Sequence, residues 1–396
     1  MQTRTLFANA DFLRLWGVGF IVFLVRWLEM LAISLFVYRA TGSAFAVTAM
    51  VMLRMLPMGL FGAVMGSLAE RVEAKSALVF IIVASMATSA VLALLAWTGQ
   101  LAVWHLGVAS FVNGIAWAAD NPVRRMMIGQ VVGSDRMGPA MSADVGSNNA
   151  SRMLGPLLAG VIFAAVGVGG AFVASVAFYA IALVTALTLR YRSGVLPAAA
   201  AGVLAHVAEG VAMVRRDARL KGTLIVTIIF NLFAWPFTSL VPVIGQDHLG
   251  LAPRGIGVLV SMDGVGAFAG ALAMAAWSRP SNYVRSYLGG AALYMTLILV
   301  FAVAREPLLA GFALLCCGFA QAGFSIMQAT LVYQRAPARL RSRALGLLSV
   351  CIGLGPIGFA HVGLLADAVG ANNACLITGL EGLLALLLTR RYWQHC

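Results

Sequence analysis

Charged side chains are scarce in this chain. Only 10% of its 396 residues are Asp, Glu, Lys or Arg, whereas a soluble domain carries about 25%. The hydrophobic share is 61%. Because a helix that crosses a bilayer needs about 20 apolar residues, the length accommodates about a dozen spans and no sizeable soluble domain. The composition predicts a membrane protein.

Several motifs of catalysis and metal binding are missing as well. Neither Lys75 nor Lys221 follows the glycines of a Walker A sequence, which excludes ATP hydrolysis by this chain. The HExxH and GxSxG patterns are also absent. The 5 cysteines form no CxxC pair, which argues against a zinc site and against a disulfide framework. We therefore expect a protein that is not an enzyme and holds no cofactor or metal.

Basic residues outnumber acidic ones, 27 to 14. They fall in short clusters between apolar runs, a distribution that indicates membrane topology and argues against a nucleic-acid partner. The runs lie at 16–38, 44–68, 76–96, 101–119, 140–165, 171–189, 222–245, 255–277, 287–304, 307–333, 344–366 and 374–389. The sequence thus predicts twelve spans.

The same basic residues indicate on which side of the membrane each loop lies, since short cytoplasmic loops collect Lys and Arg. If the N-terminus is cytoplasmic, the opposite side holds only Arg39, Arg254 and Arg305. Apart from Arg26, Arg54 and Arg152 within spans, every other basic residue is cytoplasmic. One miscounted span would exchange the sides of all later loops. We expect a multi-pass protein of a bacterial-type inner membrane, with both termini cytoplasmic.

The longest connection, at 191–221, divides the chain. Its segment LAHVAEGVAMVRRDARL reads as an amphipathic helix along the membrane surface. Gly155-Pro156 and Gly355-Pro356 occupy the fifth span of the two parts, as in transporters built from repeats. We predict an all-α membrane protein with 12 transmembrane helices in two pseudo-symmetric six-helix bundles, 1–190 and 222–396.

The connection between the second and third spans reads GSLAERVEAK, 66–75. It resembles the loop signature G-x-L-A-D-R-x-G-R-K of the major facilitator superfamily. The matching positions are Gly66, Leu68, Ala69, Arg71 and Lys75, with Glu70 in place of the Asp. Glu73 replaces the second glycine. The resemblance implies that Glu70 and Arg71 hold the two halves together on the cytoplasmic side.

The fifth span reads SRMLGPLLAG, 151–160, and resembles the antiporter motif G-x-x-x-G-P-x-x-G-G of this superfamily. Gly155, Pro156 and Gly160 match. Small residues allow close helix contact, and the proline bends the span, as suits a moving element. The whole chain resembles the branch that exports macrolides and enterobactin. Proton-driven drug exporters carry R-x-x-Q-G in the fourth span, where this chain has Ser110 and Asn113 without the Arg.

Ionised groups inside spans are costly and mark functional sites. Arg26 and Glu29 lie on one helical face, three residues apart, and can either pair in place or face a wet cavity between the halves. If the two residues pair, they only join helices. If they face a wet cavity, Glu29 accepts the transported proton. Asp120 and Asp263 are the other coupling candidates. Arg152 is expected to pair with Asp144 or Asp120.

A binding cavity needs aromatic walls with few polar groups. The candidates are Arg54, Trp27, Trp117, Phe230, Asn231, Trp235, Gln321 and Gln328. Arg54 is expected either to anchor an anionic substrate or to pair with an acid on another span. The predicted cytoplasmic gate comprises Gly66, Glu70, Arg71, Lys75, Arg124 and Arg125. The predicted helix-contact motif comprises Arg152, Gly155, Pro156 and Gly160.

The predicted function is secondary transport. The protein is expected to export a small amphipathic compound by alternating access, coupled to proton entry or to another ion, as a monomer in the lipid bilayer. Import or facilitated diffusion of a small solute is the alternative within this class. A transport-inactive sensor or scaffold is the alternative outside it, although a scaffold gains little from buried charges.

Overall fold

The computed structural model describes residues 6–190, 217–336 and 341–393, without the side chains at 63, 64, 66–71, 134 and 341–343. Most of the predicted amphipathic linker helix lies outside these residues. The first half contains α1 (Ala10–Thr41), α2 (Ala44–Arg71), α3 (Ala74–Trp97), α4 (Val103–Val132) and α5 (Met137–Leu187). The second half contains α6 (Ala218–Ile229), α7 (Val241–Asp247), α8 (Pro253–Trp277), α9 (Tyr283–Val303), α10 (Pro307–Arg335), α11 (Arg341–Ile352), α12 (Gly355–Val369), α13 (Ala371–Leu388) and the short α14 (Arg390–Trp393).

The described helices agree with the twelve predicted spans. In this part of the chain, 10 helical stretches are long and apolar enough to cross a membrane. One of them, α5, holds two spans, because Gly167 adopts a left-handed φ of 72° and divides the helix. The helix α4 is not among them, since Asp120, Arg124 and Arg125 lower its hydropathy, but its 30 residues suffice to span a bilayer.

The spans of the second half are more often broken. Residues 218–247 form one span in which a π turn at 230–234 and a 3₁₀ turn at 235–239 join α6 to α7. Pro236 lies at this break and cannot donate a backbone hydrogen bond. The span 344–369 likewise changes from α11 to α12 just before Gly355. Breaks of this kind leave backbone groups that neighbouring helices must satisfy.

Two pairs of helices join the halves along their length: α5 with α8, and α2 with α12. Glycines bring the first pair together, because a Cβ on Gly160 would lie 2.6 Å from the Pro253 carbonyl and 2.9 Å from Gly257 Cα. A Cβ on Gly264 would lie 2.6 Å from the Met153 nitrogen. Small residues at such contacts let helix backbones approach closely in lipid.

The two ends of the bundle differ in charge. We call the end with the α2–α3 connection and the described chain ends the basic end. The opposite end, with the α1–α2, α7–α8 and α12–α13 connections, is the far end. Its connection between α1 and α2 is tight, since Gly42 takes a left-handed φ of 65° and the Ser43 side chain caps α2.

Candidate functional site

A narrow cavity of about 50 Å³ lies between the two halves, among residues near the middle of their helices. The first half contributes Arg26, Trp27, Met30, Val51, Arg54, Met55, Trp117 and Arg152, and the second contributes Trp235, Thr238, Val260, Asp263 and Phe359. Sites for drug-sized ligands measure about 300–1,000 Å³. The halves must therefore separate before a compound of that size can enter.

Arg26 and Glu29 do not pair with each other. The guanidinium of Arg26 lies 3.7 Å from the Asp120 carboxylate on α4, and 4.5 Å above the Trp117 ring. The carboxylate of Glu29 lies 3.8 Å from the Arg54 guanidinium on α2. The predicted pairing of Arg26 with Glu29 is wrong, because each side chain extends to a neighbouring helix. Each of the two ion pairs therefore joins two helices.

Glu29 is fully buried behind the cavity wall, with no exposed surface. It accepts hydrogen bonds from Ser89 Oγ at 2.5 Å and from Asn113 Nδ2 at 3.2 Å. Both donors stabilise the buried carboxylate. Arg54 lies between Glu29 and the cavity and lines the cavity itself. We expected Arg54 either to anchor an anionic substrate or to pair with an acid on another span. The structure contains the second arrangement, with Glu29 as the acid.

Arg152 bridges the halves. Its guanidinium is bonded to the Asp263 carboxylate on α8, and it also lies 5.5 Å from the centre of the Trp27 ring. The expected partners Asp144 and Asp120 were wrong, since both of these carboxylates are bound to Arg124. The Arg152–Asp263 pair is the ion pair that joins the two halves at the cavity.

Arg124 lies within the first half. It has no exposed surface, and its guanidinium contacts the Asp120 and Asp144 carboxylates and the face of the Phe23 ring. A Cβ on Gly19 would meet this guanidinium at 2.5 Å, so a larger residue at this point of α1 would displace the guanidinium. These partners all belong to the first half, so Arg124 packs within that bundle in this conformation, and its predicted gating role stays a prediction.

The remaining gate residues are only partly described. The side chains of Glu70 and Arg71 and the surroundings of Gly66 lie outside the described part, so the gating role of these residues stays a prediction. Lys75 Nζ donates to the Leu187 and Leu189 carbonyls, at 3.0 and 2.6 Å. It thereby caps the end of the last span of the first half. Arg125 is exposed at the basic end.

Four of the predicted cavity residues lie elsewhere. Phe230 is stacked on Phe324 with ring centres 3.9 Å apart, inside the aromatic core of the second half. Asn231 and Gln328 both bond to Thr227, and Gln321 does not line the cavity. Phe230, Asn231 and Gln328 thus have their partners within the second bundle and do not face the interface.

The two Gly-Pro motifs occupy corresponding places. A Cβ on Gly155 would lie 2.6 Å from Trp27 Cβ, and one on Gly355 would lie 3.5 Å from the Trp235 ring. Both tryptophans line the cavity. In each half, therefore, a glycine of the fifth span lies against a tryptophan of the first span, but only at Gly155 is the contact too close for a Cβ.

Replacing Gly155 with leucine is expected to stop transport. The new side chain has no room against α1, and overpacking of this kind costs about 1–3 kcal/mol. The matched control is Gly146→Leu on the same helix, where an added Cβ meets nothing within 4 Å. Efflux rate and monodispersity of both purified variants provide the measurement. Equal turnover in the two variants would contradict the close-contact argument.

Three hydrogen bonds join the halves at the far end. Tyr38 donates its hydroxyl to Asp247, Ser43 Oγ donates to Asp367 at 2.7 Å, and the Phe45 nitrogen donates to Asp367 at 3.0 Å. The Asp367 carboxylate thus lies at the N-terminus of α2, where the helix dipole favours a negative charge. These bonds border an open cleft of about 510 Å³. They keep the two halves together at the far end in this conformation.

We expect Asp367→Ala to shift the population toward a state open at the far end. Two lost bonds, each worth about 0.5–1.5 kcal/mol net, correspond to a population change of roughly fivefold or more. The measurement is a spin-label distance between Thr41 and Asn373 in a cysteine-free background. Glu306→Ala, another exposed far-end carboxylate, is the control. An unchanged distance distribution in Asp367→Ala would show that these bonds do not hold the end closed.

Two ionisable groups form a pair away from the cavity. His361 Nε2 lies 2.7 Å from the Glu381 carboxylate, joining α12 to α13. Both side chains remain more than a third exposed, on faces that also carry exposed Ile357, Leu364 and Leu380. Within the described residues, no group of three or more His, Cys, Asp or Glu side chains could hold a metal ion.

Sequence reasoning missed several cavity residues. Met30, Met55 and Phe359 line the cavity with the tryptophans. The only available signal was position: Met30 lies one turn after Arg26, Met55 follows Arg54, and Phe359 lies one turn after Gly355. Residues within one turn of an intramembrane charge or of the Gly-Pro motif are therefore the better candidates.

Known proteins similar to this chain are transporters. It is 23% identical over 383 residues to Macrolide efflux protein A of Streptococcus pyogenes, covering 93% of this chain and 92% of that one. A protein of the same name from Enterococcus faecalis is 22% identical over 219 residues, covering 55% of this chain and 68% of that one.

Solved structures share the fold. A POT family transporter in complex with 5-aminolevulinic acid superposes with a TM-score of 0.80 at 12% identity, covering 97% of this chain and 96% of the other. The nucleoside transporter NupG superposes with a TM-score of 0.74 at 13% identity, covering 97% of this chain and 99% of the other. The family profile described as Major Facilitator Superfamily matches residues 15–360. Together with the two six-helix bundles around a shared cavity, this match means that the chain belongs to the major facilitator superfamily.

Proposed function

We propose that this protein exports a small amphipathic compound by alternating access, coupled to proton entry. The observation that carries the proposal is the cavity between the halves, to which both bundles contribute aromatic and charged side chains. A site at such an interface can face either side as the bundles rock. Since one chain supplies both halves, a monomer suffices.

The contacts between the halves support alternation of access. Hydrogen bonds join the halves at the far end, and glycine contacts join α5 to α8 and α2 to α12. Side chains at glycine contacts do not interlock, so one helix can rotate against the other with little loss of packing. Opening the far end requires the bonds of Asp247 and Asp367 to break.

The buried carboxylates support proton coupling. Glu29 and Asp263 each lie beside a guanidinium that lines the cavity, Arg54 and Arg152 respectively. Protonation of either carboxylate would remove the negative charge of its pair and so change the balance between conformations. The fourth span lacks the usual Arg of proton-driven exporters, but its Asn113 binds Glu29, and Arg54 supplies a guanidinium from α2.

The relatives support the direction of transport, because those described above are named macrolide efflux proteins. The distribution of basic residues supports a bacterial plasma membrane location with the basic end in the cytoplasm. In that orientation the closed far end faces outward. The cavity then receives the compound from the cytoplasm or the inner leaflet.

Inverted membrane vesicles containing the protein provide the test. With an imposed pH gradient, acid inside, they are expected to accumulate at least one member of a panel of amphipathic fluorescent dyes of negative, zero and positive charge. Vesicles without the protein are the control. Accumulation only in right-side-out vesicles would favour import, and accumulation in neither orientation would refute the proposal.

A further inference from the structure

The charges that line the cavity are unequal. Three guanidinium groups face it, those of Arg26, Arg54 and Arg152, against the single carboxylate of Asp263. That carboxylate is already bonded to Arg152. The wall seen by an entering compound therefore carries an excess of positive charge.

The balancing carboxylates lie behind the arginines. Glu29 and Asp120 are 0% and 1% exposed and do not line the cavity between the halves. They lie 3.8 and 3.7 Å from the Arg54 and Arg26 guanidinium groups, beyond hydrogen-bond distance. They hold the guanidinium groups in position by charge while leaving their N–H groups available on the cavity side.

Two buried donors at the cavity lack a partner. Arg54 Nε and Trp27 Nε1 are buried, and neither has a hydrogen-bond acceptor among the described residues. Both residues line the cavity. A buried donor without a partner costs free energy, which a ligand that accepts a hydrogen bond recovers. One lining acceptor, Asp263 Oδ1, also lacks a partner, so the unpartnered buried groups in the described part of this wall are two donors and one acceptor. The balance favours a ligand that accepts hydrogen bonds.

The rest of the wall is apolar and aromatic. Trp27, Trp117, Trp235 and Phe359 contribute four ring systems from both halves, with Met30 beside them. Methionine and aromatic side chains fit flat apolar bodies of varied shape. The polar and apolar parts of one compound can thus be held side by side.

We propose that the transported compound is an organic anion: a carboxylate held by Arg54 and Arg152, attached to an apolar body that packs on the tryptophans. Guanidinium groups bind carboxylates through paired hydrogen bonds, which suits this recognition. A cation in the same place would face three positive charges. The inference rests on the proposed function, since it assigns the substrate class of the same cavity.

The test compares three probes with the same apolar body: naphthaleneacetate, naphthaleneethanol and naphthaleneethylamine, at neutral pH. Binding to the purified full chain is measured by calorimetry and by the shift in melting temperature. We expect the acetate to bind roughly tenfold or more tightly than the other two, as expected where charge complementarity decides specificity. Equal or tighter binding of the amine, or no binding of the acetate, would overturn the inference.

Variants separate the arginines from general effects. In Glu29→Gln/Arg54→Gln both members of a buried ion pair become neutral, so the net charge of the protein is unchanged. The Arg54 guanidinium, which we propose binds the carboxylate of the substrate, is removed. Acetate affinity is expected to fall roughly tenfold in this variant. The control is Arg39→Gln at the exposed far end, whose guanidinium lies over Phe163 outside the cavity. An equal loss in both variants would contradict the assignment.

The outcomes for substrate class and for export are distinguishable. If the amine binds and is exported from vesicles, the protein is an exporter and the anion assignment fails. If the acetate binds through Arg54 but no dye or naphthalene probe is transported, the anion assignment holds and the proposed export fails.

Discussion

Glu29→Gln is expected to reduce efflux driven by a pH gradient to the level of vesicles without the protein, while substrate binding persists. Glutamine keeps the size of the side chain and can still bond to Ser89 and Asn113, but it cannot carry a proton across the cycle. Binding persists because Glu29 does not line the cavity. The measurement combines efflux under an imposed pH gradient with calorimetric binding of the same probe.

The stability of this variant must be measured beside its activity. Removing one member of a buried ion pair costs about 3–5 kcal/mol, because the Arg54 guanidinium is left uncompensated. The double variant Glu29→Gln/Arg54→Gln is expected to recover melting temperature without recovering pH-driven efflux. Ser89→Ala, which keeps the carboxylate, is expected to retain that efflux. Undiminished pH-driven efflux in Glu29→Gln would remove Glu29 from the mechanism.

The charge of the substrate determines which gradient can drive export. An anion that leaves a cell with a negative interior moves down the membrane potential, and each elementary charge gains about 2.3 kcal/mol per 100 mV. The potential and the pH gradient should therefore be imposed separately in the Glu29→Gln experiment. If Glu29→Gln loses only the efflux driven by the pH gradient, Glu29 carries the coupling proton. The remaining efflux is then driven by the membrane potential acting on the anion.

The spans could be predicted from the sequence because their signals are local. Apolar runs and the asymmetry of Lys and Arg depend only on neighbouring residues, and both gave twelve spans. Gly155 could be assigned to a close helix contact for the same reason, since a small residue next to a proline is a motif of adjacent residues. The structure contains that contact at Trp27.

The partners of the charged residues could not be predicted. Arg26 and Glu29 share a face of α1, but helix packing brings Asp120 to one and Arg54 to the other. Arg152 meets Asp263 across the two halves, a contact that no spacing in the sequence encodes. In helices that are apolar on nearly every side, periodicity does not indicate which face is inside. Phe230 was therefore assigned to the cavity, although it packs on Phe324.

Asp263→Asn is expected to weaken the contact between the halves and to stop export. The Arg152 guanidinium would remain buried beside Trp27 without its carboxylate, which costs about 3–5 kcal/mol where such pairs are dry. Neutralising both residues, in Arg152→Gln/Asp263→Asn, is expected to restore the melting temperature. Transport is not expected to return, because the cavity would then have lost the Arg152 guanidinium and the titratable carboxylate of Asp263.

Exchange of the two charges tests the bridge itself. Arg152→Asp/Asp263→Arg keeps one positive and one negative group at the interface, so it is expected to recover stability relative to either single variant. The coupling energy from this double-mutant cycle isolates the pair from its surroundings. Asp11→Asn is the control, because its pair with Arg14 is partly exposed and lies within one helix, where such pairs contribute about 0–1 kcal/mol. If Asp263→Asn melts and transports like the native chain, the halves are held by their glycine contacts and the far-end hydrogen bonds alone.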